Sequence, residues 1–216
     1  MNWDWSAVAD FMPRFWEGLL VTLQVLVLGS LISFTLGLVW ALGFRARSRF
    51  VRWPVHAVTE FVRTTPLLVQ LFFLFFVLPE WGVQFSALTT GTLAIGLHYS
   101  TYTAQVYRAG IDAVPAGQWE AATALSLPRH RTWLTVILPQ ALRRIAPALG
   151  NYVIAMLKDT PLLAGISVLE LLQQSRLESA ATFQYTEPLT VVGVAFVLIA
   201  YPASLLVRTL ERRLAH

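Results

Sequence analysis

From Gly18 to Phe44 the chain runs for 27 residues without a single charged side chain. A helix needs roughly 20 mostly apolar residues to cross the hydrocarbon of a bilayer. Leu189 to Val207 is a second wholly uncharged stretch of nearly that length. In lipid every backbone N–H and C=O must find its partner within the chain, so such stretches are read as helices. Only 13% of the residues are charged, about half the usual share of a soluble domain, which is roughly 25%. These features exclude an ordinary soluble fold and predict an all-α integral membrane protein.

Three further segments have the length of a span but carry polar groups. Val55 to Leu78 contains Glu60, Arg63 and Pro66. Ala87 to Tyr107 is rich in Thr and Tyr, and is therefore expected to lie among other helices. Ile145 to Val168 is interrupted by Lys158, Asp159 and Pro161. Arginines test the count, because loops on the cytoplasmic side are enriched in Lys and Arg. Twelve of the sixteen basic residues fall in alternate loops: Arg45 to Arg52, Arg108 to Arg144 and Arg208 to Arg213. The other side has only Arg14 and Arg176, while Arg63 and Lys158 lie within spans. Five spans, with the amino end outside and the carboxyl end in the cytoplasm, satisfy every loop.

The expected organisation is an extracytoplasmic segment (1–17), a transmembrane domain (18–208) and a cytoplasmic tail (209–216). The domain's spans are 18–44, 55–78, 87–107, 145–168 and 189–207, with a cytoplasmic loop at 108–144. Asp4, Asp10 and Glu17 precede the first apolar run, the reverse of the basic start of a secretory leader, so no cleaved leader is expected. The formal charge of +4 is explained by the clustered loop arginines and not by nucleic acid. Without cysteine there is no thiolate chemistry. His98 and Ser100 are two apart and face different sides of a helix, so no nucleophile–base pair is expected, and no metal site or catalytic residue is assigned.

Charge within a span is costly and is expected to face a partner or a cavity. On one continuous helix Glu60, Arg63, Leu67 and Gln70 would share a face, with Glu60 and Arg63 paired across one turn. Lys158 and Asp159 splay about 100° apart and need partners from other helices. Thr65-Pro66-Leu67-Leu68 is echoed by Thr160-Pro161-Leu162-Leu163, each Pro having a base three residues before it. Each Pro frees a carbonyl, that of Val62 or Leu157. Interrupted spans in corresponding positions point to a binding site near the midplane. Glu60, Arg63, Gln70, Lys158, Asp159 and Thr160 are therefore candidates for a substrate pathway, the alternative being structural ion pairs and packing kinks. The aromatic run Phe72-Phe73 to Phe75-Phe76 reads as lipid-facing or packing surface. Tyr99 and Tyr102 read as buried, satisfied hydroxyls or as pathway lining.

The polar loop 108–144 favours a helix from Gln118 to Leu125, a break at Leu127-Pro128, and a second short helix from Arg129 that stops before Pro139. On physical grounds alone such a pair is either an interfacial anchor or a rigid knob. Glu120-Ala121-Ala122, a small residue at Ser126, and Ile137-Leu138-Pro139 resemble the EAA loop of ABC-importer permeases. Glu60 to Gln70, Tyr102 to Gly110 and Lys158 to Leu163 resemble the polar amino acid branch of that family, whose members carry histidine, glutamine or arginine. Ser126 stands where the family usually has Gly, and Pro161 where the branch usually has Ser. The resemblance covers about Gly18 to Arg208.

It implies a type I ABC importer permease fold in the bacterial cytoplasmic (inner) membrane. It also implies that Glu120, Ala121, Ala122, Ser126, Leu138 and Pro139 dock on ATP-binding subunits. No Gly-x-x-x-x-Gly-Lys-Ser/Thr motif occurs, so the chain is not expected to bind ATP or to be an enzyme; ATP and Mg²⁺ would sit on the ATPase subunit. The resemblance further implies an extracytoplasmic binding protein. Five spans are too few to enclose a pathway, so a second permease subunit, identical or homologous, is expected within the lipid. A channel would account for the buried charges but not for a docking loop. Both signs of charge suit a zwitterion, whether an amino acid or a compatible solute such as ectoine.

Overall fold

The computed structural model describes residues 3–214, and those residues form helices and turns without a strand. α1 (Trp5–Phe44) is 40 residues long and starts on Asp4, whose side chain accepts from the Ser6 N–H. It therefore begins well before Gly18, and Phe11 and Phe15 are buried against Leu171 and Val192. α2 (Arg49–Thr64) and α3 (Leu67–Phe72) follow, with α3 continuing through a wide turn at Phe73–Val77 and a tight one at Leu78–Trp81.

α4 (Ala87–Asp112) is the most enclosed element, with fourteen of its 26 residues buried. Its Thr, Ser and Tyr side chains explain both its low hydropathy and its central place: neighbouring helices supply the partners that lipid lacks. α1 and α4 run parallel and approach closely; a β-carbon on Gly37 would collide with Thr103. At this contact the Thr103 hydroxyl donates to the Ser33 carbonyl, at 2.9 Å.

The loop 108–144 holds α5 (Ala116–Ala124) and α6 (Arg129–Arg131). The second helix of the loop does not stop before Pro139, as the sequence suggests. α6 runs through a wide-register stretch, Thr132–Ile137, straight into α7 (Leu138–Asp159). Pro139 lies at the start of α7, and the i→i+5 register just before it accommodates the missing N–H. α7 is followed by a tight helix, Thr160–Ile166, then α8 (Leu171–Thr182) and α9 (Thr186–Leu214). Glu170 is wholly buried and caps α8 by accepting from the N–H groups of Leu172 and Gln173.

By length and composition α1 and α9 can each cross a membrane. Two bent pairs, α2 with α3 and α7 with α8, would raise the number to four. α4 is about 39 Å long at 1.5 Å per residue, long enough to cross but too polar to qualify by hydropathy.

Candidate functional site

The segment 55–78 is not one helix. At Thr65-Pro66 the axis turns by 103°. Thr65 is extended (φ −89°, ψ 132°), the conformation that a following Pro imposes. Glu60, Arg63, Leu67 and Gln70 thus do not share a helical face, since the first two lie on α2 and the last two on α3. Glu60 and Arg63 do pair across one turn, at 2.5 Å, with side chains 51% and 34% exposed. Gln70 turns back across the break, and its amide donates to the carbonyls of Val62 (2.6 Å) and Thr65 (2.9 Å). The carbonyl that Pro66 frees is therefore satisfied by a side chain.

At Pro161 the freed Leu157 carbonyl accepts from the Thr160 hydroxyl at 2.8 Å. Thr160 is wholly buried. Asp159 and Lys158 part company. Asp159 accepts from the Tyr99 hydroxyl at 2.6 Å, while Lys158 lies towards α9, beside Phe196, Ala200 and Tyr201. The two Thr-Pro-Leu-Leu segments do meet, but in packing: Leu67 and Leu163 are buried in one apolar core with Leu71 and Ile166.

What surrounds Asp159 is a cluster drawn from three helices. Tyr99 and Tyr102 on α4 and Tyr152 on α7 form a triangle with ring centroids 5.8 to 6.1 Å apart. His98 lies within 5.3 to 5.5 Å of Tyr102 and Tyr99. The Tyr102 hydroxyl donates to the Arg63 carbonyl at 3.2 Å, tying α4 to the end of α2. The His98 Nδ1 is buried without a hydrogen-bond partner among the described residues. The group offers the Asp159 carboxylate, aromatic faces that attract cations, and, through Tyr102, a link to the Arg63 backbone at the end of α2. Ser100, by contrast, is fully occupied: it accepts from Trp40 Nε1 and donates to the Leu97 carbonyl.

Of the pathway candidates that the sequence offers, Asp159 lies in this cluster and Arg63 borders it through its carbonyl, while Tyr152 joins from α7. The signal for Tyr99, Tyr102 and Tyr152 is their Tyr content inside spans, and only the fold brings α7 beside α4.

The second feature is the exposed knob. Glu120 and Ala121 point outward on α5, while Ala122 is buried. Ser126 adopts a left-handed conformation (φ 54°), so it occupies the geometry that Gly favours. Trp119 and Trp133 meet edge to face at 5.2 Å and root the knob beneath α4 with Ile111 and Ile137. Gln140 donates to Gln118, closing the base. Leu138 is half-buried and Pro139 exposed. Leu125 and Leu134, both largely exposed, follow Glu120 in sequence and add apolar surface that the motif alone does not reveal.

Residues 33–216 match the model of the binding-protein-dependent transport system inner membrane component family. The chain belongs to this family. It is 44% identical, over 97% of its length and 91% of the relative's, to a probable amino-acid ABC transporter permease of Sinorhizobium fredii. It is 32% identical to the arginine transport system permease of Bacillus subtilis, covering 99% of this chain and 98% of that one. Among solved structures, an amino acid ABC transporter crystallised with histidines aligns with a TM-score of 0.91 at 33% identity, over 99% of this chain and all of that one. The inward-facing methionine transporter MetNI shares the fold, with a TM-score of 0.78 at 17% identity over 95% of this chain and 98% of that one. Family membership makes the chain a permease subunit of an ATP-driven importer.

Proposed function

We propose that this chain is the membrane-spanning subunit of an ATP-driven importer for a polar amino acid or a similar small zwitterion. The observation that carries this is the 44% identity to an amino-acid ABC transporter permease along nearly the whole chain. The path crosses the membrane five times, from an outer amino end to a cytoplasmic carboxyl end. Two features support it. α1 and α4 are parallel, so the chain between them must return, and α7 runs back along α4, with Ile145 beside Gly110 and Leu163 beside Gly91. The twelve-to-two division of loop basic residues agrees.

Glu120, Ala121, Ser126, Leu138 and Pro139 form the contact with a separate ATPase subunit, which holds ATP and Mg²⁺, and the buried Ala122 packs α5 behind that contact. A binding protein delivers cargo from outside, and a second permease subunit completes the pathway. In the membrane Asp159 takes the cargo's ammonium and Arg63 its carboxylate, with Tyr99, Tyr102 and Tyr152 around them. Glu60 holds Arg63 in place, while Gln70 and Thr160 satisfy the carbonyls of Val62 and Leu157 at the two prolines. Lys158 serves the contact with α9. A channel has no use for a rigid exposed knob, so the coupled importer is favoured.

The test is uptake of labelled arginine, glutamine or histidine in cells lacking their own carriers, with the ATPase and binding protein co-expressed. Glu120→Lys should insert normally and abolish uptake, and cargo-stimulated ATP hydrolysis should fall with it. Normal uptake by Glu120→Lys would overturn the docking role, and uptake that ignores ATP depletion would overturn the importer. A reporter fused after Arg213 should lie in the cytoplasm and one near Trp81 or Glu178 outside. A cytoplasmic signal at Glu178 would overturn the five-span path.

A further inference from the structure

We propose that the start of α2 is a binding site for an anionic phospholipid at the cytoplasmic boundary of the bilayer. The site begins with an imbalance of charge. No acidic residue occurs between Glu17 and Glu60, while Arg45, Arg47, Arg49 and Arg52 crowd into eight positions. Arg45 is used internally: it pairs with Asp112 at 2.6 Å and lies over the Trp133 ring. Arg47, Arg49 and Arg52 are exposed and have no carboxylate within 4 Å among the described residues.

The surface beside them is apolar. Phe50 is 87% exposed and Trp53 74%; with Arg49 and Pro54 they line a concavity of about 330 Å³. Arg49, Arg52 and Trp53 lie one turn apart and share a face. Phe50, Pro54, Val58 and Phe61 follow at helical spacing along the next face, and all four are exposed. The level is that of the membrane boundary, since the uncharged run of α1 ends at Phe44 and Gly43 packs against Val55. A phosphate held by guanidinium groups, with acyl chains laid along the Phe50–Phe61 stripe, satisfies both halves. A soluble phosphate would leave that aromatic and aliphatic surface unused, so the occupant is a lipid.

The leaflet assignment rests on the proposed orientation; the binding itself needs neither cargo nor ATP, and so stands or falls apart from the importer function. The test uses the intact complex with its ATPase, purified from nanodiscs of phosphatidylcholine containing phosphatidylglycerol. Native mass spectrometry then counts the phosphatidylglycerol molecules retained. Each basic residue near an anionic surface contributes roughly fivefold. Combining Arg47→Gln, Arg49→Gln and Arg52→Gln should therefore weaken retention by about a hundredfold. The corresponding triple Lys variant should keep most of the retention and serves if the Gln variant does not assemble. Trp53→Ala should weaken it with every charge intact, and inorganic phosphate at millimolar concentration should displace nothing. Equal retention by the wild type and the Gln triple would overturn the site. Displacement by inorganic phosphate would make it a soluble-anion site, and loss of the ATPase subunit from the Gln triple would make it a protein contact. Either result would overturn the lipid assignment.

Discussion

Thr-Pro-Leu-Leu occurs twice in this chain and folds in two ways. At Thr65-Pro66 the backbone is extended, and the helix axis turns by 103°. At Thr160-Pro161 the Thr stays helical (φ −56°, ψ −33°) and the chain only tightens into a narrower helix through Ile166. The difference comes from burial. Thr160 is wholly buried, and Leu163 and Ile166 just beyond it are fixed in the central core. A bend there would pull both from their contacts. Thr65 is half-exposed, so the extended conformation that Pro favours in its predecessor meets no opposition. The same four residues thus specify a frustrated helix, and packing decides whether the frustration appears as a bend or as a change of pitch.

The largest test of this contrast is functional. If the stiff break carries the cargo anchor and the open one only its counter-charge, the two should differ in cost. Asp159→Asn keeps size but removes the charge that Tyr99 holds in a half-buried place. We expect uptake efficiency to fall at least about a hundredfold, as for the loss of a charged partner in a dehydrated site, worth several kcal/mol. Replacing the more exposed pair together, Glu60→Gln with Arg63→Gln, should preserve basal ATP hydrolysis and raise the half-saturating cargo concentration about tenfold, as exposure weakens each contact. Both are read from uptake curves of assembled complexes. The reverse order of effects would move the cargo anchor to α2. Unchanged kinetics in the double variant would leave the Glu60–Arg63 pair with a purely structural role.

Stability gives the next contrast. Gln70→Leu removes the donor to two carbonyls at the open break, neither of which has another donor beyond the break. We expect a loss of about 2–3 kcal/mol, mostly from the carbonyl of buried Val62, since an unsatisfied buried acceptor costs about 1–3 kcal/mol and that of half-exposed Thr65 costs less. Thr160→Val removes one of two donors to the Leu157 carbonyl, the backbone N–H of Thr160 being the other. About 1 kcal/mol should be lost. Unfolding by denaturing detergent measures both. Equal losses would mean that the open break is held by packing and not by Gln70.

Much of this was legible in the sequence because lipid restricts the menu to helices of a given length. The uncharged runs at 18–44 and 189–207, the Arg-rich loops and the freed carbonyls of Val62 and Leu157 all follow from local rules. Sequence placed Glu60, Arg63, Gln70 and Leu67 on one face because 3.6-residue geometry was carried through Pro66, where the chain in fact turns. It ended a helix before Pro139 because the usual i→i−4 register forbids Pro there, and a wide-register stretch evades that rule. The Tyr triangle and the Gln70 bond across the first break depend on contacts between helices, whereas the Thr160 bond to Leu157 is local. No local signal encodes which way Lys158 and Asp159 point, since that is set by Tyr99 on one side and α9 on the other.

The smallest effect concerns how the tightened helix after Pro161 is stopped. Its last residue, Ile166, is followed by Ser167 at φ 61°, and the next segment leaves at 47°. Ser126, which ends the first helix of the exposed knob, has nearly the same angle, φ 54°. A left-handed conformation costs an L-residue about 1–2 kcal/mol, whereas Gly gives back roughly 0.5–1 kcal/mol of that through its larger loss of freedom on folding. Both serines are exposed, so neither substitution removes a buried contact. Ser126→Gly and Ser167→Gly should therefore each stabilise the protein by about 0.5–1 kcal/mol in the same unfolding assay, and by the same amount within error. If Ser167→Gly destabilises instead, the turn after the Pro161 break is held by the chain's stiffness at that residue, and a more flexible backbone there releases the strain upward into Thr160. In that case Ser167→Gly should also lower uptake.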